Sequence, residues 1–565
     1  MKNILLFTVS ALLLGMPAHS QDLGTNPWPA RWISVPETGA QDYGVYYFRK
    51  DIDLHSVPAR YLVHVTSDNR YKLYVNEILV SLGPAKGDAS HWNYETVDLA
   101  PYLGSGRNVI AALVYNEGPK RPDSQISVQS GFLLQGEAES AQLYTDKSWK
   151  CIQDPSYSPV NAIVIGYYVA GPGEKVDMNL SIPDWNRDGA DLSAWLPARE
   201  GPAGEPKDVM SQNQGDTHCL IPSALPQMER TPFELGKAFT VPAHTQTELL
   251  LDNKVLTNAY FHLRMSGGKD ARVNIGYAES LYIPDGSGPA YQLTPEQLAL
   301  VPEEYLSYVL TPKVKGKGNR NETQGKVFVG REDQLICNGA WNQEYTTLSW
   351  RTFRYVRLQV ETEEEPLTIN EVSGIFTGYP FTRDASLTTD RQELKDILDI
   401  GWRTARLCAW ETYMDCPYYE QLQYLGDTRI QALVTLYNSK DHRLVKNFLH
   451  LADISRGADG ITKSRYPTTI PQYIQPYALS YIYALHDYMM YGADTDLVMD
   501  LLPGAEQILH YFSRFQQEDG RVKNLPGWNF SDWVTDRPNW NTALSRKEPT
   551  DAPFSWTCSS CMLFS

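Results

Sequence analysis

Phe353-Arg-Tyr-Val-Arg-Leu-Gln-Val360 and, a little further on, Leu394-Lys-Asp-Ile-Leu-Asp-Ile-Gly401 read in two different periods. The first alternates apolar and polar side chains at a spacing close to two, as a half-buried strand requires. The second repeats its apolar positions at three and four, as an amphipathic helix does. The change of period falls near Arg383. The chain before it reads as β and the chain after it as α, so the order is β, β, then all-α.

Upstream, Val45-Tyr-Tyr-Phe-Arg49, Tyr61-Leu-Val-His-Val65, Tyr71-Lys-Leu-Tyr-Val75 and Val109-Ile-Ala-Ala-Leu-Val-Tyr115 are short strands. Gly83-Pro84, Gly87-Asp88 and Gly104-Ser-Gly106 separate them. That spacing predicts an antiparallel, jelly-roll-like β-sandwich over 21–200. Residues 201–230, with Gly201-Pro-Ala-Gly-Glu-Pro206, read as a linker. A second β-sandwich is expected over 231–385, carrying Leu249-Leu-Leu-Asp252, Tyr260-Phe-His-Leu-Arg-Met265 and Arg272-Val-Asn-Ile-Gly-Tyr277. The polar stretch Lys313–Gln324 reads as a loop inserted in it. Downstream, after a first helix beginning near Leu394, amphipathic helices are expected at about 419–437, 441–456, 474–491 and 495–516.

The start of the chain has the form of an export signal. Lys2 supplies the positive end, Ile4 to Met16 the apolar run, and Ala18 and Ser20 the small residues before a cleavage at Gln21. The run is shorter than the ~20 residues of a membrane span. The mature chain is therefore expected to be secreted or periplasmic, with no membrane span. The net charge of −17 argues against nucleic acid, whose phosphates need clustered Lys and Arg. Seven scattered cysteines do not make a disulfide framework, and Cys558-x-x-Cys561 stands alone. The 12% aromatic share, with 14 Trp and 35 Tyr, suits sugar-stacking faces, although large extracellular β-domains are also aromatic-rich.

Chemistry concentrates in Asp415-Cys-Pro-Tyr-Tyr-Glu-Gln-Leu-Gln-Tyr-Leu-Gly-Asp-Thr-Arg429. Asp415 and Pro417 suit the start of a helix, as cap and first-turn proline. Glu420 then falls in its first turn, and Asp427, seven residues on, lies on the same face with Tyr424 and Gln431. Three acids brought together raise a carboxyl pKa, which a general acid needs near neutral pH. An acidic, solvated helix N-terminus favoured by the helix dipole accounts for the same residues.

Asp415-Cys-Pro-Tyr-Tyr-Glu420 with Gly426-Asp-Thr-Arg429 resembles the catalytic motif, in its shorter form, of the α-L-rhamnosidases of glycoside hydrolase family 78. Trp28-Pro-Ala-Arg-Trp-Ile33, Trp350-Arg-Thr-Phe-Arg-Tyr-Val356, Gln472-Tyr-Ile474 and Trp528-Asn-Phe-Ser-Asp-Trp533 resemble other segments of that family, in the same order. The resemblance implies β-sandwich domains ahead of an (α/α)6 barrel and hydrolysis of terminal α-L-rhamnose with inversion. It implies Glu420 as general acid. Asp415 and Asp427 would bind rhamnose hydroxyls, and Asp532 and Trp533 would shape the pocket, with Trp533 and Tyr473 as an apolar wall for the sugar's methyl group. The partner is then a rhamnose-containing glycan or glycoside. No cofactor or metal is called for, and calcium is not indicated; Asp88, Trp92 and Asn93 read as an exposed turn rather than as a sugar or calcium site.

One expectation departs from the family. An inverting enzyme needs a second carboxylate ~6.5–9.5 Å from the acid. In the family that base lies far downstream, and no position up to Ser565 matches it. Residues 386–565 hold about five helical stretches, fewer than an (α/α)6 barrel contains, so the barrel is expected to be incomplete, the chain inactive by itself, and its helices left with exposed apolar faces. A non-catalytic carbohydrate-binding protein and an (α/α)6 glycosidase of another sugar remain as alternatives.

Overall fold

The computed structural model describes residues 23–209, 218–289, 293–301, 309–310, 312–492 and 494–530. The export segment, Asp532, Trp533, Cys558 and Cys561 lie outside the described residues. Two facing sheets make the first β-region. One runs in the order Arg199–Ala203, Arg31–Ser34, Gly131–Gly136, Leu62–Asp68, Trp92–Asp98, Cys219–Pro222, Glu205–Pro206. The other runs Leu196–Pro197, Lys150–Gln153, Tyr43–Leu54, Gly106–Glu117, Arg70–Val75, Ile78–Gly83. Val63 and Phe132 from the first sheet meet Phe48, Leu73 and Ile110 from the second in one core. The alternation seen in sequence is the inward-facing half of each strand.

The expected linker is not one. Arg199–Ala203 pairs antiparallel with Arg31–Ser34, and Cys219–Pro222 runs parallel to Trp92–Asp98. Gly204 is packed so closely that an added Cβ would come within 2.9 Å of Leu133 and 3.0 Å of Trp28. Edge strands tolerate Pro and Gly, so composition alone does not separate an edge from a linker.

The second β-region differs in two ways from the sandwich expected. It is a single ten-stranded sheet, and it begins earlier: Tyr157–Val160 and Gly173–Asp177 belong to it. Gly173–Asp177 lies parallel to Arg331–Ile336. The approach is close at Gly173, where a Cβ would fall 1.7 Å from the Glu332 carbonyl oxygen. The 22-residue strand Gln246–Gly267 pairs first with Arg351–Glu361 and then with Leu367–Gly378. Register shifts after Asp252 and Arg264 bend it. Alternate residues of the sheet, Phe261, Leu263, Val273, Ile275 and Leu358 among them, share one core, so the sheet wraps around its own interior. Arg351, fully buried, ties the layers by bonding Glu174 at 2.6 Å and Asp333 at 2.9 and 3.0 Å. The polar stretch after residue 312 is partly a strand: Pro312–Gly316 pairs with Ile283–Pro289.

Five helices follow where the period predicts them: α1 (Gln392–Leu407), α2 (Leu425–Asn438), α3 (Arg443–Ile454), α4 (Gln475–Gly492) and α5 (Thr495–Ser513). Phe448, Leu449, Tyr481, Leu485, Ala505 and Ile508 form the core between α3, α4 and α5. α1 buries only Leu407, and its Ile397 and Ile400 are 62% and 66% exposed. Ile430 on α2 and Met490 on α4 are exposed as well. Among the described residues no helix is long and apolar enough to cross a membrane.

Candidate active site

Asp415 and Glu420 do not sit on a helix. α2 starts only at Leu425, with Tyr424 as its N-cap, and residues 415–424 form a compact loop. The loop closes on itself: Asp415 N–H donates to the Leu422 carbonyl at 2.8 Å, and Leu422 N–H donates to Asp415 Oδ1 at 3.1 Å. Gln421 takes a left-handed φ of 58° to turn the chain back. Asp427, expected two turns into the helix, is instead in its first turn, where the dipole favours an anion.

Three other parts of the chain hold this loop. The second β-region provides Thr352, whose hydroxyl donates to the Pro417 carbonyl at 2.9 Å, and a Tyr277 carbonyl that accepts from Tyr418 at 2.9 Å. The same region provides Val169, between Tyr157–Val160 and Gly173–Asp177, whose N–H donates to the Tyr419 carbonyl at 2.8 Å. The first β-region provides Arg70, which grips buried Glu411 through two nitrogens at 2.6 and 2.8 Å. Trp410 lies under the Arg70 guanidinium at 4.9 Å. The stretch before α4 gives the third support: Leu425 N–H donates to the Ser464 carbonyl, and Tyr466 N–H to the Gln423 carbonyl. Lys317 bonds both Glu279 and the Tyr419 hydroxyl, which anchors the hairpin after residue 312 to the site.

The electrostatics follow from this packing. Burial, then the neighbouring Glu420 charge, pushes the Asp415 carboxyl up to about 7. Burial also raises the Glu420 carboxyl; the Tyr424 hydrogen bond and the Arg465 charge pull it down, while Asp427 and Asp123 push it up. The acids do converge, but desolvation outweighs their mutual repulsion. Half-buried Glu420 accepts from the Tyr424 hydroxyl at 3.0 Å through Oε2. Tyr424 in turn accepts from Arg465 at 2.9 Å. Beyond Tyr424 a run of rings continues through Tyr477 and Phe530 to Trp528, with centroids 5.0–6.5 Å apart. Gly426 makes room for it, since a Cβ there would meet the Tyr477 ring at 3.0 Å.

Asp415, Glu420 and Asp427 are thus brought together, and Tyr473 is partly exposed nearby in sequence to α4. Arg465, Asp123 and Tyr167 escape sequence reasoning, because Arg465 meets the other two across separations of 342 and 298 residues. Asp88 is not a plain turn residue: its carboxylate accepts from Tyr466. Trp92 is buried, and Asn93 donates to the Ala85 and Lys86 carbonyls. A cavity of about 270 Å³ lined by Lys120, Arg121, Asp123 and Tyr168 adjoins the site. A larger one of about 590 Å³, against Trp402 and Arg403, contains none of the motif. Among the described residues no cluster of His, Cys, Asp and Glu could hold a metal ion.

A β-rich front is followed by helices, with buried carboxyls where the two meet. Residues 382–558 match the family described as bacterial alpha-L-rhamnosidase 6 hairpin glycosidase domain. Solved structures agree in fold. The GH78 rhamnosidase of Bacillus sp. GL1 is 17% identical, with a TM-score of 0.68 over 90% of this chain and 71% of that one. The α-L-rhamnosidase of Dictyoglumus thermophilum is 18% identical, with a TM-score of 0.65 over 90% and 54%. The Streptomyces avermitilis α-L-rhamnosidase, complexed with L-rhamnose, is 18% identical, with a TM-score of 0.58 over 84% and 42%. The chain therefore spans about half the length or less of the last two. No curated protein sequence matches it.

Proposed function

We propose that this glycoside hydrolase of the rhamnosidase family removes terminal α-L-rhamnose from glycans or glycosides, with Glu420 as the general acid. The observation that carries the reading is the state of that carboxyl. It is raised by burial, and one of its oxygens is held by Tyr424, beside Asp415 and Asp427. A protonated carboxyl in that setting can give its proton to a glycosidic oxygen as the bond to the sugar breaks. Asp415 and Asp427 then accept from rhamnose hydroxyls, and the aromatic run from Tyr424 to Trp528 faces the apolar side of a 6-deoxy sugar. Asp532 and Trp533 complete the pocket in this proposal.

Inversion is part of the proposal. It calls for water activated by a carboxylate on the far side of the sugar, and the proposal assigns that base to no residue from Met1 to Ser565. Export belongs to it too, on the strength of Met1–Ser20. Hydrolysis of an unactivated α-L-rhamnoside by the chain and by Glu420→Gln tests the core of it. Retained turnover in the mutant removes Glu420 from the role. Proton NMR of the first-formed rhamnose reads the stereochemistry, and an N-terminus at Gln21 on exported protein reads the signal.

A further inference from the structure

The acid of the proposed reaction leans on a side chain from outside its own motif. Arg465 lies in the stretch before α4 with its side chain 3% exposed. One of its nitrogens donates to Tyr424 at 2.9 Å and to Tyr167 at 3.3 Å, and the other reaches Asp123 Oδ2 at 3.5 Å. Tyr167 also donates to Asp123 at 3.5 Å. Asp123 belongs to the first β-region and Tyr167 to the connection between Tyr157–Val160 and Gly173–Asp177 of the second, and the backbone at Asp123 fastens the same stretch, since Thr469 N–H donates to the Asp123 carbonyl at 2.7 Å.

A guanidinium has donors only. When Arg465 donates to the Tyr424 oxygen, the phenol's single hydrogen is directed to its other neighbour, Glu420 Oε2. An oxygen that accepts this bond is the poorer place for a proton, so the carboxylic hydrogen belongs on Oε1. We propose that Arg465, held by Asp123 of the first β-region and Tyr167 of the second, is a positioning residue that fixes which oxygen of Glu420 carries the transferable proton. The inference rests on Glu420 being the acid. In the step itself the Oε1–H bond breaks and the proton goes to the glycosidic oxygen, which keeps the electron pair of its broken bond to the sugar. Water supplies the new oxygen on the sugar and releases one proton to solvent, from which Glu420 is reprotonated for the next turnover. Glu420 is left as a carboxylate facing the Tyr424 hydroxyl and the Arg465 charge, both of which stabilise it.

The groups facing Glu420 are Asp415 on its own loop, Tyr424 and Asp427 at the start of α2, Arg465 before α4, Asp123 from the first β-region and Tyr167 from the second. Arg465 and Asp123 act on it with opposite sign. Arg465→Met is therefore expected to move the Glu420 titration up by about half a unit to one unit, and Asp123→Asn to move it down by less. Arg465→Lys keeps the charge and restores part of the shift without the fork. The measurement is the basic limb of the kcat/KM–pH profile on an unactivated rhamnoside. Arg465→Met should also lower kcat about tenfold or more with little change in KM.

A carbon-13 titration of glutamate-labelled protein, with Glu420→Gln to assign the signal, reads the same shift without turnover. Should the chain hydrolyse no rhamnoside, the functional reading falls and this titration still decides the positioning. Opposite shifts support the inference; no shift in either variant, or shifts in the same direction, overturn it. Should Arg465→Met not fold, Asp123→Asn decides alone: a downward shift supports the inference and an unmoved titration overturns it.

Discussion

Asp333 and Asp415 are both buried carboxylates, one in the wrapped β-sheet and one in the loop before α2, and their pKa values move in opposite directions. Burial raises each. At Asp333 the Arg351 guanidinium, bonded through two nitrogens, more than offsets burial and the carboxyl ends below its ordinary value. At Asp415 the nearest charge is another acid, and the carboxyl ends at about 7. The β-region spends its carboxylates on holding strands together, each with a cation. The loop gathers acids, and of the causes acting on Glu420 the Arg465 charge is the cationic one. Between these two aspartates the partner, and not the depth, sets the direction of the shift, whereas at Glu174, on the same guanidinium, burial outweighs Arg351 and the carboxyl stays raised.

The largest effect expected from testing this contrast is on turnover. Glu420→Gln should lower hydrolysis of an unactivated rhamnoside by about 10³-fold or more, within the range of general acid catalysis, and leave the unfolding midpoint nearly unchanged. Loss of folding together with activity would place Glu420 with the structural acids. Arg351→Met should do the reverse and cost stability. Stranding Glu174 and Asp333 without their cation should destabilise the β-region by roughly 3–5 kcal/mol in urea unfolding. A change under about 1 kcal/mol would mean that the triad is not what holds the layers.

The third test is a pH dependence. A carboxyl raised in the folded state binds more protons there than in the unfolded chain. Asp415 therefore makes the fold more stable at low pH, and that stability is lost as pH rises from about 4 to about 7. Asp415→Asn keeps an acceptor for the Leu422 N–H and removes the titration. The variant should gain on the parent by about 2–3 kcal/mol between pH 5 and pH 8 in urea unfolding. Asp333 has the other sign: its contribution is present above the ordinary carboxylate range and is lost as pH falls. Parallel pH curves for parent and Asp415→Asn would break the contrast. The smallest effect belongs to a paired acid near the surface. Arg354 bonds Asp252 at 3.0 Å with both side chains partly exposed. Arg354→Ala should cost under about 1 kcal/mol, and less at high salt.

The helices were legible because five amphipathic stretches keep their period without help from the rest of the chain. The acids were legible through the likeness of their segment to a family motif, since an acidic helix start accounts for the same residues. The loop was misjudged as a helix because its brake, a left-handed Gln421 and a Tyr424 cap without a side-chain bond, leaves no mark in composition. The wrapped sheet read as a sandwich because alternation reports which face of a strand is buried and not which strand lies beside it. Pro202 and Gly201 suggested a linker where an edge strand tolerates both. Arg465, Asp123 and Tyr167 carry no local signal, since only the folded chain brings them together.

The Arg70–Glu411 clamp has a bearing on how this protein can be re-engineered. Arg70 comes from the first sandwich, and Glu411 stands just ahead of the acidic loop. A helical region transplanted behind a foreign sandwich would bury Glu411 beside no guanidinium, and the loop would settle in a different shape. The front of the molecule is therefore not an interchangeable accessory, and any chimera has to carry Arg70, Asp123 and Tyr167 along with the helices they serve.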